Sequence, residues 1–204
     1  ISALYQKEAT PEIEDVGAFF NMAIMTAHRQ ILRYAAEKHL MDTPRTTLVA
    51  AIVQGNVAHW VHCGDSRLSF VRHGELLVRT RDHSYIEQRQ DAKPDVPLPA
   101  NFNRNVLYTC LGSPTKPVFE VTGPVPLQQG DKILLCSDGL WEFVTDEAME
   151  HSLGGATSPS EWIDALEHQV REAASNRASH DNFSALAVWL VEPLEEDEMP
   201  ADEA

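Results

Sequence analysis

Apolar residues recur at helical spacing between Val16 and Leu40: Phe19, Phe20, Ala23, Ile24, Ala27, Ile31, Tyr34 and Ala35. That period predicts one long amphipathic helix. No glycine or proline interrupts the run after Gly17, and Asp42-Thr43-Pro44 ends it. The pattern then changes to short β-branched and alternating stretches. Thr46–Val53, Val57–Cys63, Leu68–Val71 and Glu75–Thr80 read as strands, separated by Gly55-Asn56, Gly64-Asp65-Ser66 and His73-Gly74. Short strands joined by tight turns predict an antiparallel meander. Ser84 to Asn105 is polar and proline-rich without a clear period, and reads as a long surface loop holding at most a short helix. Val118–Thr122 and Lys132–Cys136 are two further strands. Ser158-Pro159-Ser160-Glu161 is a helix start, with a capping serine, a first-turn proline and a glutamate three residues on. Ser184–Leu190 is the last strand. Strands and helices do not alternate strictly, so the class is α+β, with sheets packed together and helices outside.

Composition narrows the function. The chain has 204 residues, 43% of them hydrophobic, enough for a packed core. Sixteen Lys+Arg oppose 31 Asp+Glu, a formal charge of −15. That balance disfavours nucleic acid and anionic membranes as partners. Seven of the acids lie between Glu192 and Ala204, and without them the balance is −8. The expected organisation is one domain over residues 1–191 followed by an acidic, disordered tail over 192–204. Three cysteines, Cys63, Cys110 and Cys136, form no CxxC pair, so neither a disulfide framework nor a cysteine zinc site is expected. A reducing, cytoplasmic location follows. No apolar run approaches the ~18 residues of a membrane span.

Three aspartates stand where strands meet turns: Asp65 in Gly-Asp-Ser-Arg, Asp138 in Cys-Ser-Asp-Gly-Leu, and Asp181 in His-Asp-Asn-Phe. Each alone is an ordinary turn residue. Together they abut apolar strands and can converge at one end of a sheet pair. Clustered carboxylates repel unless protonated or bridged by cations. A donor set of oxygens alone suits Mg²⁺ or Mn²⁺.

These residues stand in a longer ordered set. Thr46-Thr47-Leu48-Val49-Ala50, Gly64-Asp65-Ser66-Arg67, Asp82-His83-Ser84, Leu134-Leu135-Cys136-Ser137-Asp138-Gly139-Leu140-Trp141 and Asp181-Asn182 follow one another over roughly residues 46 to 190. The set resembles the metal-dependent (type 2C) serine/threonine protein phosphatases, in their bacterial form. The resemblance implies a four-layer αββα sandwich of two antiparallel sheets flanked by helices. It implies that Asp138 bridges two Mn²⁺ or Mg²⁺ ions, that Asp181 holds one of them, and that Asp65 with Asp138 can hold a third. It implies hydrolysis of phosphoserine and phosphothreonine by a metal-bridging water, with Asp138 and Asp181 as the catalytic residues. The implied partners are phosphorylated proteins, substrates of a cognate kinase, and the implied state is a monomer. Gly139 would let backbone approach the metal waters. Ser66 and Arg67 are expected to organise the turn, and residues 84–105 to form a variable flap.

Two departures accompany the resemblance. The family's Asp-Gly-x-Gly-Gly motif does not occur in these residues and is expected upstream of Ile1. Thr109 stands where an arginine is common. An alternative reading is therefore a non-catalytic module of the same fold that binds a phosphoprotein partner; an acidic scaffold acting through its tail has little behind it. His59 and His62, three apart on a strand, point to opposite faces and do not share an ion easily. His83 reads as a structural hydrogen-bonding residue. Trp141 and Trp162 read as core anchors.

Overall fold

In the computed structural model, residues 1–92, 106–175 and 181–191 are described. The chain runs α1 (Ser2–Glu8), α2 (Val16–Glu37), β1 (Leu48–Gln54), β2 (Val57–Cys63), β3 (Arg67–Arg72), β4 (Glu75–Arg79), α3 (Tyr85–Ala92), β5 (Glu120–Pro126), β6 (Lys132–Cys136), α4 (Asp138–Trp141), α5 (Asp146–Leu153), α6 (Pro159–Ala174) and β7 (Ala185–Trp189). The strands form two antiparallel sheets, β1-β2-β5 and β4-β3-β6-β7.

Alternation along each strand divides the interior into three apolar layers. Leu48, Ala50 and Ile52 of β1, with Val61 and Cys63 of β2, face α2 and its Phe19, Phe20, Ala23 and Ile24. The intervening residues Val49, Ala51, Ala58 and Trp60 face the other sheet and meet Leu68, Phe70, Ile133 and Leu135. The opposite faces of β3 and β6, through Val71, Leu134 and Cys136, pack on Leu140, Met149, Trp162, Leu166 and Val170 of α4, α5 and α6. Helix, sheet, sheet and helix therefore stack in four layers, as the sequence predicts.

Both long helices carry a side-chain cap at their start, and that of α6 is the predicted one. Asp15 accepts the Ala18 N–H at 2.9 Å ahead of α2. Ser158 accepts the Glu161 N–H at 3.2 Å ahead of α6, and Pro159 opens that helix.

One expectation needs correcting. The first four strands are not a single meander, because β1 and β2 belong to one sheet and β3 and β4 to the other. The reason is that β2 and β3 each have two faces to bury. Placed in facing sheets, both can fill the central layer, where the Trp60 and Phe70 ring centroids lie 6.2 Å apart. The crossing is made at Gly64-Asp65-Ser66. There Gly64 has φ +106°, and a Cβ would come within 2.5 Å of the Thr47 methyl. At the far end of β3, Arg72 ties the sheets: it donates to the buried Asp131 carboxylate at 2.8 and 2.7 Å and to Pro126 O at 3.0 Å.

Other differences are local. Helix α3 occupies the start of the expected 84–105 loop, and residues 93–105 lie outside the described residues. Strand β5 runs later than the Val118–Thr122 stretch read from sequence. Helices α1, α4 and α5 are short and carry too few apolar repeats to announce themselves. The acidic 192–204 segment also lies outside the described residues.

Candidate active site

Sheet register gathers the aspartates. In the β3–β6 pair, Arg67 faces Cys136. Continued two residues outward, that register sets Asp65 against Asp138. In the β6–β7 pair, Cys136 faces Ala185, and Ser137 and Ser184 extend the pairing, Ser137 N–H donating to Ser184 O at 3.0 Å and Ser184 N–H to Ser137 Oγ at 3.0 Å. Asp181 lies just beyond. All three aspartates thus share one end of the second sheet, beside the crossing between sheets.

Asp65 and Asp138 are half-buried, and Asp181 is exposed. Burial, then the Asp138 carboxylate, then that of Asp82, push the Asp65 carboxyl up to about 6. Gly139 brings the Asp138 and Asp181 turns together. A Cβ there would come 2.5 Å from Asn182 O and 2.9 Å from its carbonyl carbon. The glycine is needed for that backbone apposition. Each turn is closed by its own aspartate: Gly139 N–H donates to Asp138 Oδ1 at 2.9 Å, and Asn182 N–H to Asp181 Oδ1 at 2.8 Å. Among the described residues, His62, His83 and Glu120 bring potential metal-ligating atoms within 4.8 Å of one another, and the three aspartates form no such group.

Around Asp65, Arg67, expected to organise the turn, does so through partners on other segments. Arg67 donates to both oxygens of the buried Asp82, Nε to Oδ1 at 2.8 Å and Nη2 to Oδ2 at 2.7 Å. Its guanidinium carbon lies 3.6 Å from the Trp141 ring centroid. Trp141 is half-buried, and its indole N–H donates to Asp65 O at 2.9 Å. It is not simply a core anchor: it props the aspartate turn. Its position three residues after Asp138 was the available signal. His83 does act structurally, accepting the Gly64 N–H at Nδ1 over 3.2 Å. Asp65, Arg67, Asp82, Ser84, Glu87, Trp141 and Glu142 line a cleft of about 530 Å³, with α3 forming one wall.

The residues fit divalent hard cations. The donors are carboxylate oxygens, burial and then the neighbouring acids hold the Asp65 carboxyl up, and Arg67 beside it is committed to Asp82.

The sequence profile described as protein phosphatase 2C matches residues 1–190. The chain belongs to the protein phosphatase 2C family. It is 31% identical over 180 residues to the serine/threonine phosphatase stp of Listeria welshimeri, covering 86% of this chain and 68% of that protein. It is 34% identical over 181 residues to the serine/threonine protein phosphatase PstP of Mycobacterium tuberculosis, covering 87% of this chain and 34% of that protein. Among solved structures, the catalytic domain of PstP in complex with two manganese ions superposes with a TM-score of 0.72 at 25% identity, covering 88% of this chain and 73% of that one. The four-layer sandwich is thus that of the protein phosphatase 2C family, and the class of activity is that of a serine/threonine protein phosphatase.

Proposed function

We propose that this protein hydrolyses phosphoserine and phosphothreonine on phosphorylated proteins, using Mn²⁺ or Mg²⁺ held at the Asp65, Asp138 and Asp181 end of the second sheet. The observation that carries this reading is the β3–β6–β7 register, which delivers aspartates distant in sequence to one sheet end. Asp138 and Asp181 are the residues that would hold a pair of ions, and Asp65 with Asp138 a third. Such ions, when bound, acidify a coordinated water and offset charge on the phosphoryl oxygens.

The chain's own residues supply position. Arg67 neutralises Asp82, so that Asp82 adds less negative charge beside Asp65. Trp141 fixes the Asp65 backbone through its indole N–H. Gly139 sets the spacing of the Asp138 and Asp181 turns. The cleft between α3 and Trp141 opens beside Asp65, where the phosphorylated side chain would enter. We place the protein in the cytoplasm, opposite a serine/threonine kinase. Among the described residues no helix is long and apolar enough to cross a membrane.

The test is hydrolysis of p-nitrophenyl phosphate and of a phosphothreonine peptide with Mn²⁺, with Mg²⁺ and with chelator. Turnover that needs the cation and is lost in Asp138→Asn supports the proposal. The same assay separates this from a second reading, a non-catalytic module of the same fold: tight phosphopeptide binding without turnover in the presence of Mn²⁺ would establish the second reading against the first.

A further inference from the structure

A buried lone pair lies on the other sheet, close behind the Gly64 turn. His62 is 2% exposed. Its Nε2 lies 2.8 Å from Arg81 O and donates its proton there, which leaves Nδ1 with a lone pair. That Nδ1 is buried with no hydrogen-bond partner. A metal-ligating histidine commonly has this arrangement, one nitrogen fixed by a carbonyl and the other free.

Two further donors meet it. Glu120 of β5 is directly opposite His62 of β2 in register, so both side chains stand on the same face. The His83 ring stacks on His62, with centroids 4.5 Å apart and planes 23° from parallel. One ligand atom from each of His62, His83 and Glu120 lies within 4.8 Å of the other two. The histidines are buried, and Glu120 is exposed at the mouth, giving an ion a way in. Burial, helped by His62, lowers His83 to about 4, so at neutral pH the ring adds no positive charge to repel a cation.

We propose that His62, His83 and Glu120 form a binding site for a borderline transition-metal ion of the Zn²⁺ type, separate from the oxygen-only aspartate site. Two imidazoles and a carboxylate are a zinc donor set, and Mg²⁺ and Mn²⁺ prefer the all-oxygen site. The stacked rings must turn towards each other to share an ion, and this has a consequence. His83 Nδ1 is the acceptor of the Gly64 N–H. If Nδ1 ligates the ion, that bond breaks. If Nε2 ligates, its proton moves to Nδ1 of the same ring, and Gly64 again loses its acceptor. Occupancy of this site therefore removes the acceptor of the Gly64 N–H in the turn that leads into Asp65.

The experiment is calorimetric titration of the chelator-stripped protein with Zn²⁺, in excess Mg²⁺ to saturate the aspartates. One Zn²⁺ per chain is expected. Glu120→Gln, at the exposed ligand, should weaken it by about tenfold or more, and so should His83→Gln. Co²⁺ absorption in the visible range should show imidazole-bound, low-coordinate cobalt in the parent protein and lose that signature in Glu120→Gln. Because Glu120→Gln changes a surface residue, circular dichroism will show it folded, which guards against the risk that a buried histidine variant unfolds. Zn²⁺ affinity unchanged in folded Glu120→Gln, or no Zn²⁺ bound in the parent protein, overturns the site. The second outcome would mean that water satisfies His62 Nδ1. Neither result depends on phosphatase activity.

Discussion

The guanidinium carbon of Arg67 lies over the Trp141 ring, 3.6 Å from its centroid, while Trp141 donates its indole N–H to the backbone of Asp65. Arg67 is in turn clamped by both oxygens of Asp82. One motif's arginine, a second motif's aspartate and a third motif's tryptophan thus form a single support under Asp65. A stack between a guanidinium and an aromatic face with little exposure is worth about 1–2 kcal/mol. A charged bidentate pair also fixes direction better than a neutral hydrogen bond.

Trp141→Phe separates the two parts of that support. The ring and its stack on Arg67 remain, and only the bond to Asp65 O is lost. Stability should fall by about 1 kcal/mol. Mn²⁺ affinity at the aspartates should fall by about tenfold, as for other residues that orient a ligand. Urea unfolding and calorimetric Mn²⁺ titration measure the two separately. Equal Mn²⁺ binding in parent and variant would leave Trp141 as packing alone.

Gly139→Ala tests the apposition of the Asp138 and Asp181 turns. The new methyl would meet the Asn182 backbone, which cannot swing aside as a side chain tip could. The expected stability loss is about 1–3 kcal/mol, as for other overpacking. Displacing the aspartates by about 1 Å should cost about 100-fold in turnover. The check is kcat for p-nitrophenyl phosphate at saturating Mn²⁺, beside the thermal midpoint. Parent-like kcat would show that the spacing does not matter.

His83 predicts a pH effect on stability. Its folded value, about 4, lies below the ordinary 6.5, chiefly because it is buried and secondly because His62 faces it, with Asp82 opposing. Between those values the unfolded chain takes up a proton that the folded chain refuses. Stability from this residue is therefore complete above about 6.5 and is lost as pH falls towards about 4. Urea midpoints at about pH 7 and about pH 5 should differ, and His83→Gln should narrow the difference. An equal drop in the variant would assign the effect elsewhere.

Much of this was legible in sequence. The alternation of Val57–Cys63, the period of Val16–Leu40 and the Ser158-Pro159 start each announce their element, because a buried face imposes its period directly. The ordered motifs pointed to Asp65, Asp138 and Asp181, and the register brings them to one sheet end. The assignment of strands to sheets was not legible. A tight turn such as Gly64-Asp65-Ser66 has the same residues whether it closes a hairpin or crosses between sheets, and only the need to cover both faces of β2 and β3 decides it. Nor was the Arg67–Asp82–Trp141 support legible, since its members are up to 74 residues apart and meet only through the fold. The same holds for His62, His83 and Glu120. Along the sequence His62 has only His59 near it on its strand, whereas the side chains it meets lie on other segments.

The central claim is that the aspartates at this sheet end hold divalent cations. The most direct test is Mn²⁺ titration of the chelator-stripped protein, comparing the parent with Asp138→Asn and Asp65→Asn. Mn²⁺ should bind the parent and bind Asp138→Asn far more weakly, and Asp65→Asn should lose one class of bound ion. Folded Asp138→Asn protein that binds Mn²⁺ as the parent does would contradict it.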